Sequence, residues 1–323
     1  MEYKCGSTTV KIDDVVEIAR KASAVIMEVY ESDVKDWDIK AKSDDSPLTK
    51  ADLAANKVIC EELKKLYPDI PIVSEENKAI PYEERKGYQY FFCVDPLDGT
   101  KEFVKRNGQF TVNIGLCDSG KPVLGVVGVP AGDVPWYYFG VVGEGASMEN
   151  DADRYPESIR CKTFDEDSEG LTLVASASHL TKETEDFMAQ YKNPKTKSMG
   201  SSLKLLLVAQ GEAHIYPRLA PTSEWDTCAA HAIVEAAGGE VLQYQGGKDC
   251  DHLKPLVYNK PDVLNPWFVV YGKRKAAAAE DACCAGGVCG VSEGKKGGMN
   301  FLLVGVVGVL AAVVGAYFAQ KTL

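Results

Sequence analysis

An apolar run that ends in two aspartates constrains this chain more than any other stretch. Tyr90 to Val94 indicates a buried strand, and Asp95-Pro-Leu-Asp-Gly-Thr100 follows it directly. Pro96 and Gly99 predict a turn, so two carboxylates three residues apart stand where the strand ends. Carboxylate oxygens in one turn suit Mg²⁺, which keeps open positions for a substrate phosphate. The segment therefore predicts catalysis at a metal-held phosphate.

Helix and strand patterns are mixed along the rest of the chain. The spacing of apolar residues predicts helices over 10–31, 50–66, 201–210 and 225–237, strands over 70–73 and 171–175, and a hairpin over 110–129. This mixture predicts α/β or α+β layers. With 323 residues, of which 45% are hydrophobic, the chain can bury a sizeable core. Its length allows one large domain or two halves around a cleft.

Charge and cysteine content narrow the class of protein. The formal net charge of −11 argues against a nucleic-acid-binding surface, which would be basic. It does not exclude an anionic substrate, because bound cations can invert the local field. The ten cysteines are scattered, and no apolar secretory signal follows Met1. Cys60, Cys93, Cys117 and Cys228 lie in apolar or helical settings and are expected to be reduced core residues.

An uncharged and almost wholly apolar segment, Phe301 to Ala319, lies near the C-terminus. As a helix it would span about 28 Å, close to the roughly 30 Å of bilayer hydrocarbon. A buried core helix is the alternative, but few core helices run this long without a polar face. The sequence therefore predicts a catalytic domain over residues 1–272, a flexible linker over 273–298 and a transmembrane tail anchor over 299–319. Lysines before the span place the catalytic domain in the cytosol, on a membrane that the sequence does not identify.

Three further acidic residues are candidates for the same site. Glu75 follows the strand at 70–73, where side chains converge on a cleft, although a solvated loop is the alternative. Asp226 lies in the first turn of a predicted helix, where stabilisation of the helix dipole is a sufficient reason for an acid. Asp52 completes Thr49-x-x-Asp52, which is also a capping box. Spacing in the sequence does not show that these acids meet in space.

Several segments resemble a known enzyme superfamily. Ser74-Glu75-Glu76, Asp95 to Phe103 and Glu224 to Thr227 resemble signature segments of the lithium-sensitive, Mg²⁺-dependent phosphatases, which include inositol monophosphatase. The chain is most similar to one branch, the 3′(2′),5′-bisphosphate nucleotidases of the CysQ type. The segments that carry this closer resemblance are 44–52, 105–113, 200–204 and 216–218. The resemblance covers residues 10–272 in order.

The resemblance implies a fold and a metal content. The fold is α/β, a five-layer α-β-α-β-α sandwich of the sugar and inositol phosphatase type with the site between two halves, to which the predicted transmembrane helix is added. The metal content is two to three Mg²⁺ ions. The implied ligands are Glu75, Asp95 and the backbone carbonyl of Leu97 for the first ion, and Asp95, Asp98 and Asp226 for the second. A third, weaker ion would involve Glu75 and lie near Asp52.

The same resemblance assigns catalytic roles to Thr100, Asp52 and Glu75. Thr100, with Asp52 or Glu75, would orient and deprotonate the attacking water. The backbone amides of Gly99 and Thr100 would hold the scissile phosphate. This is a two-metal arrangement, in which one ion generates a hydroxide and the other neutralises the leaving oxygen.

Substrate choice would come from the C-terminal half of the chain. By the same resemblance, the candidate substrate-binding residues are Asp98, Gly99, Thr100, His179, Ser201, Lys204, Arg218 and Asp226. Lys204 and Arg218 are cations that suit a second phosphate, the one that is not cleaved. Surface charges, and a helix cap at Ser201, are the alternatives.

The resemblance implies a phosphomonoesterase that converts 3′-phosphoadenosine 5′-phosphate to AMP and phosphate, and so clears this product of sulfate activation. The sulfated donor 3′-phosphoadenosine 5′-phosphosulfate is a second candidate substrate. One alternative is an inositol (poly)phosphate phosphatase, against which the cations at Lys204 and Arg218 argue. An alternative of another class is a catalytically silent, membrane-anchored nucleotide sensor. The sequence does not indicate an oligomeric state.

Overall fold

The computed structural model describes residues 1–42, 47–176, 181–246 and 254–275 of the chain. In these ranges the helices are α1 (Ile12–Glu31), α2 (Lys50–Leu66), α3 (Tyr82–Arg85), α4 (Thr100–Val104), α5 (Lys182–Met188), α6 (Leu203–Ala209) and α7 (Glu224–Ala236). The strands of the first half are β1 (Glu2–Cys5), β2 (Thr8–Lys11), β3 (Lys40–Ala41), β4 (Pro47–Leu48), β5 (Ile72–Ser74), β6 (Tyr90–Asp98), β7 (Thr111–Asp118), β8 (Lys121–Val129), β9 (Trp136–Val141) and β10 (Gly145–Asn150). Those of the second half are β11 (Glu157–Ile159), β12 (Thr163–Phe164), β13 (Thr172–Ser176), β14 (Lys195–Met199), β15 (Ile215–Arg218), β16 (Glu240–Gln243), β17 (Phe268–Tyr271) and β18 (Lys273–Arg274).

A seven-stranded sheet in the order β11-β10-β9-β8-β7-β6-β5 forms the first half of the fold. Its neighbouring strands are antiparallel, except that β5 pairs parallel with β6. α1 and α2 cover one face, because both helices are amphipathic: Val15, Ile18, Ala22 and Ile26 of α1 are fully or almost fully buried. The predicted helices at 10–31 and 50–66 are confirmed. So is the predicted hairpin, in which β7 and β8 are joined by Ser119-Gly120 at positive φ.

α7 packs on the opposite face of this sheet, and two glycines allow a very close approach. A Cβ atom on Gly125 would lie 2.0 Å from the carbonyl oxygen of Ala229, and one on Gly115 would lie 2.6 Å from Cys228 Sγ. The backbone of α7 therefore lies directly on β7 and β8. This packing carries the first turn of α7, with Asp226, to the end of β6.

A five-stranded sheet in the order β14-β13-β15-β17-β16 forms the second half. Neighbouring residues of β15 point to opposite faces: Ile215 lies in a core cluster with Phe187 of α5, whereas the Tyr216 ring lies 5.7 Å from Lys204 Nζ of α6. The layers are thus α1 and α2, the seven-stranded sheet, α6 and α7, the five-stranded sheet, and α5. This is the α/β sandwich that the sequence predicts.

The membrane prediction needs correction. Within the described ranges, no helix is both long and apolar enough to cross a bilayer. α1 has 20 residues, but it carries Asp13, Asp14 and Arg20 and buries only one face. Nothing in these ranges supports the predicted C-terminal transmembrane helix or the membrane localisation with a cytosol-facing catalytic domain, and neither prediction is kept. Residues 299–319 themselves lie outside the described residues.

Candidate active site

A β-bulge in β6 presents two aspartates at the end of the seven-stranded sheet. Asp95 lies opposite Asn113 of β7, and Asp98 lies opposite Thr111, so three steps on β6 match two on β7. Residues three apart in a regular strand point to opposite faces, and the extra residue brings both aspartates to one side. The predicted turn at Pro96 is thus a continuation of the strand. The chain turns at Gly99, whose φ is +89°.

Three carboxylates meet at this point. Oxygens of Asp95, Asp98 and Asp226 all lie within 4.8 Å of one another. Burial, followed by the charge of Asp98, raises the pKa of Asp226 to about 7. Burial also raises the pKa of Asp95 well above its ordinary value, and the carboxylates of Glu75 and Asp98 add to this effect. Since like charges this close are unfavourable without a cation, the cluster could bind a metal ion.

Asp226 combines this position with the structural role that its place in α7 suggests. Its Oδ2 accepts a hydrogen bond of 2.9 Å from the backbone N–H of Ser223, which completes a capping box at the start of α7. The cap fixes the side chain at the helix end that faces β6. Asp226 can therefore cap α7 and belong to the cluster of three carboxylates at the same time.

We expect the stability of the metal-free protein to fall as pH rises from about 4 to about 7. The pKa of Asp226 is raised from 3.8 to about 7, so the folded state binds more protons than the unfolded state in this window. The associated stability is present at low pH and is lost as pH rises through the folded-state pKa. Thermal melting in EDTA at pH 5 and pH 8, and again with Mg²⁺, measures it. Mg²⁺ should raise the melting temperature most at pH 8.

Asp226→Asn is the control for this experiment, because the amide retains the cap but does not titrate. Its melting temperature in EDTA should depend less on pH than that of the wild type. A wild-type protein that is more stable at pH 8 than at pH 5 without metal would contradict the expectation.

Asp52 and Thr100 form a hydrogen-bonded pair beside the cluster. The backbone N–H and hydroxyl of Thr49 both donate to Asp52 Oδ2, at 2.7 and 2.6 Å, which is the capping box of α2. The Thr100 hydroxyl lies 3.1 Å from Asp52 Oδ1 and 3.3 Å from the carbonyl oxygen of Leu97. Burial raises the pKa of Asp52. Asp52 thus serves as a helix cap with one oxygen and contacts Thr100 with the other.

Glu75 lies beside the cluster but is paired with a lysine. Lys42 Nζ lies 2.6 Å from Glu75 Oε1 and also contacts Glu76. Burial raises the pKa of Glu75. With Asp95 and Leu97, Glu75 lines a cavity of about 360 Å³. It is not one of the three acids whose oxygens converge within 4.8 Å.

A second cavity, of about 220 Å³, adjoins the first and is lined by three cationic residues, Lys101, Lys204 and Arg218. It is lined by Asp98, Gly99, Ser201, Lys204, Tyr216, Arg218 and Asp226, among others. Lys204 is buried, and burial lowers its pKa to about 8. Its ammonium donates to the carbonyl oxygen of Ser201 at 2.6 Å, and Arg218 Nη2 donates to the carbonyl oxygen of Pro221 at 2.8 Å. Because Asp98, Gly99 and Asp226 line both cavities, the cationic site and the acidic site share a wall.

Ser201 connects the two cavities. Its hydroxyl donates to Asp98 Oδ2 at 2.5 Å, and its φ of +51° is left-handed, which is uncommon for a non-glycine residue. The alternative of a helix cap does not hold, because α6 begins at Leu203 and its first turn has no side-chain cap. The remaining candidate, His179, lies outside the described residues.

Comparison with known proteins places the chain in a family. The sequence model of the inositol monophosphatase family matches residues 9–284. The chain belongs to this family. It is 43% identical to the 3′(2′),5′-bisphosphate nucleotidase CysQ of Escherichia coli (strain K12) and 44% identical to that of Salmonella typhimurium (strain LT2), in each case over 260 residues, 80% of this chain and 98% of the relative. A crystal structure of CysQ from Bacteroides thetaiotaomicron, described as a bacterial member of the inositol monophosphatase family, matches with a TM-score of 0.66 and 41% identity over 82% of this chain and 97% of that chain.

In this family member, sequence reasoning alone missed several polar residues around the acids. Lys42 was not singled out, because a single lysine directly after a two-residue strand has no distinctive spacing. Thr111 and Asn113 lie in the segment 105–113, which carried the resemblance without a stated role. Ser202 likewise lies in the segment 200–204. The resemblance drew attention to these segments, but it did not assign a role to the individual residues Thr111, Asn113 and Ser202.

Proposed function

We propose that this chain is a Mg²⁺-dependent 3′(2′),5′-bisphosphate nucleotidase that hydrolyses 3′-phosphoadenosine 5′-phosphate to AMP and phosphate. The observation that carries the proposal is the shared wall between an acidic cavity and a cationic one. A substrate with two phosphates fits this pair, since the first can be held by metal ions on the acids and the second by Lys204 and Arg218. The identity of 43–44% to CysQ nucleotidases supports the same substrate class.

The acidic cavity is suited to hard divalent ions. Asp95, Asp98 and Asp226 supply carboxylate oxygens, the ligands that Mg²⁺ prefers. Glu75 and the carbonyl oxygen of Leu97 line the same cavity and complete the proposed ligand set for two to three ions. When bound, Mg²⁺ would supply charge neutralisation and a water of lowered pKa. The raised pKa of Asp226 fits this assignment, because it results from burial and from the charge of Asp98, and a bound cation would offset both effects.

Thr100 and Asp52 handle the proton of the attacking water. The Thr100 hydroxyl has one proton and two neighbouring acceptors, Asp52 Oδ1 and the Leu97 carbonyl oxygen, so it donates to one of them and can accept a hydrogen bond from the attacking water. Asp52 accepts the proton that is relayed through Thr100, and its raised pKa makes it a stronger base than an ordinary aspartate. Glu75 is the second candidate base, after release from Lys42. Gly99 turns the chain so that the amides at the start of α4 face the scissile phosphate.

The second phosphate is held in the cationic cavity. Lys204 and Arg218 provide charge-assisted hydrogen bonds to it, and the Ser201 hydroxyl lies between this phosphate and Asp98. The sulfated donor 3′-phosphoadenosine 5′-phosphosulfate has an anionic group at the same end and is a further candidate substrate. Inositol 1-phosphate has no second anionic group and leaves the two cations uncompensated.

Phosphate release by the full-length chain tests the proposal. We expect turnover of 3′-phosphoadenosine 5′-phosphate with Mg²⁺, none with EDTA, and inhibition by Li⁺, as the family resemblance implies. Inositol 1-phosphate, assayed side by side, should be turned over at least about tenfold more slowly, because the two cations make no use of it. Equal or faster turnover of inositol 1-phosphate would reject the nucleotidase assignment, and no phosphate release from either substrate would favour a silent sensor.

A further inference from the structure

A chain of buried polar side chains connects Asp98 to the interior of the molecule. Ser202 Oγ lies 2.7 Å from Thr111 Oγ1 and 2.9 Å from Asn113 Oδ1, and Thr111 Oγ1 lies 2.7 Å from Ser201 Oγ. Ser201 then donates to Asp98 Oδ2. Thr111, Asn113 and Ser202 are 0%, 1% and 2% exposed. Hydroxyl groups this deeply buried are unfavourable without hydrogen bonds, which limits how far these side chains can rearrange, although Asn113 Nδ2 has no hydrogen-bond partner among the described residues.

The donors nearest Asp98 have a fixed order. An ionised carboxylate only accepts hydrogen bonds, so the Ser201 hydroxyl donates its single proton to Asp98. Ser201 Oγ must then accept from the Thr111 hydroxyl. The Ser202 hydroxyl has one proton and two acceptors within reach, Thr111 Oγ1 and Asn113 Oδ1. The order of donors is therefore fixed from Thr111 to the carboxylate of Asp98. Removal of one hydroxyl from the middle of the chain interrupts it.

The same series of hydrogen-bonded side chains determines which oxygen of Asp98 accepts hydrogen bonds from the protein. Oδ2 accepts two hydrogen bonds, from Ser201 Oγ at 2.5 Å and from the backbone N–H of Ser202 at 2.6 Å. Both partners lie directly before α6, which carries Lys204. The carboxylate is thus turned by two bonds to one oxygen, which leaves Oδ1 as the oxygen that can bind a cation. The bonds also tie the acidic cluster to the segment that leads into the cationic cavity.

The strand register places Thr111 and Asn113 directly behind the two acids. Thr111 is the cross-strand partner of Asp98, and Asn113 is the cross-strand partner of Asp95. Cross-strand partners share a face of the sheet and their side chains are neighbours. The hydroxyl of Thr111 therefore reaches Ser201 and Ser202 from the sheet, whereas these serines approach from the other half of the fold.

We propose that Thr111 and Ser202 are positioning residues for metal binding, which orient the carboxylate of Asp98 so that Oδ1 faces the ion. The inference rests on the proposed function in that Asp98 is taken as a metal ligand. Groups that orient a ligand from behind affect metal affinity about 10- to 100-fold when they are removed. Thr111 lines neither cavity, whereas Ser202 is part of the wall of the second cavity. The effect of Thr111 should therefore appear in the Mg²⁺ dependence and not in substrate binding.

Thr111→Val tests the proposal, because valine has the shape of threonine without the hydroxyl. We expect Thr111→Val to bind Mg²⁺ about tenfold more weakly, measured without substrate as the Mg²⁺ concentration dependence of the melting temperature. Half-maximal turnover should also require about tenfold more Mg²⁺, while the KM for the nucleotide at saturating Mg²⁺ changes little. Thr111→Ser, which keeps the hydroxyl, should restore the wild-type Mg²⁺ dependence. Ser202→Ala provides a second interruption of the same chain, if the valine variant does not fold.

Thr184→Val is the matched control, since Thr184 is a buried threonine of α5 in a distant layer and also bonds another hydroxyl. It should lower the melting temperature without changing the Mg²⁺ dependence. Mg²⁺ binding by Thr111→Val and Ser202→Ala within twofold of the wild type would overturn the proposal, as would an equal loss in Thr184→Val. The substrate-free titration keeps this result separate from the proposed function, which fails instead if the wild type releases no phosphate from the nucleotide.

Discussion

Asp98→Asn is expected to lower nucleotide turnover by at least about a thousandfold while the fold is retained. Asp98 supplies an oxygen to the cluster with Asp95 and Asp226, and a metal ion contributes several kcal/mol of transition-state stabilisation. A loss of about 4 kcal/mol corresponds to roughly a thousandfold in rate. Phosphate release at saturating Mg²⁺ measures the effect, and retained turnover would contradict the metal assignment.

The hydrogen bonds of Asp98 explain why this variant should fold. Its Oδ2 accepts from Ser201 Oγ and from the Ser202 N–H, and an asparagine carbonyl oxygen can accept both. The amide NH₂ would then occupy the place of Oδ1, where it repels a cation. Asp98→Asn therefore keeps the hydrogen bonds from Ser201 and Ser202, and it removes the oxygen that would bind the metal ion.

The thermal stability of metal-free Asp98→Asn should be higher than that of the wild type, although its activity is lower. Asp98 is one of the charges that raise the pKa values of Asp95 and Asp226, so its neutralisation relieves repulsion in the metal-free protein. We expect Asp98→Asn to melt at a higher temperature than the wild type in EDTA at pH 8, and to gain less on addition of Mg²⁺. Asp69→Asn, which removes one exposed charge outside both cavities, should change neither quantity.

Sequence patterns predicted correctly those helices and hairpins whose ends are determined by residues close by in the sequence. The helix at 50–66 was predicted with the bounds of α2, because Thr49 and Asp52 close a capping box and the apolar spacing continues to Leu63. The hairpin at 110–129 was predicted because the turn at Ser119-Gly120 is specific. β6 was predicted too short, since Pro96 usually ends a strand, and only the pairing with β7 shows that a bulge accommodates it.

The site depended on contacts that local patterns do not contain. Asp98 and Asp226 are far apart in the chain and meet because Gly115 and Gly125 allow α7 to lie on the sheet. The choice of acids came from the family resemblance, and oxygens of three of the four predicted metal-binding carboxylates lie within 4.8 Å of one another. Glu75 is instead paired with Lys42, which directly follows β3 and lies outside the predicted elements.

Lys204→Met is expected to raise the KM for 3′-phosphoadenosine 5′-phosphate about 100-fold with little change in kcat. Lys204 is a buried cation in the wall of the cationic cavity, and a charge-assisted hydrogen bond to phosphate contributes up to about 3 kcal/mol. Adenosine 3′-monophosphate is the matched substrate, since it lacks the second phosphate. Its KM should be almost unchanged by the substitution, so that the variant no longer distinguishes the two nucleotides. Lys65→Met, on the exposed side of α2, should leave both values as in the wild type.

The stability of Lys204→Met separates a binding role from a structural one. Burial lowers the pKa of Lys204 from 10.5 to about 8, so the protonated ammonium is disfavoured in the folded state. At pH 7, below both values, this penalty is fully present and amounts to about 3 kcal/mol. Methionine removes the penalty, and the variant should therefore melt at a higher temperature than the wild type at pH 7, by an amount that diminishes as pH rises from about 8 to about 10.5. If Lys204 destabilises the fold but strengthens nucleotide binding, its role is to bind the substrate. An unchanged KM for the bisphosphate in a more stable variant would contradict the assignment of the second phosphate to this cavity.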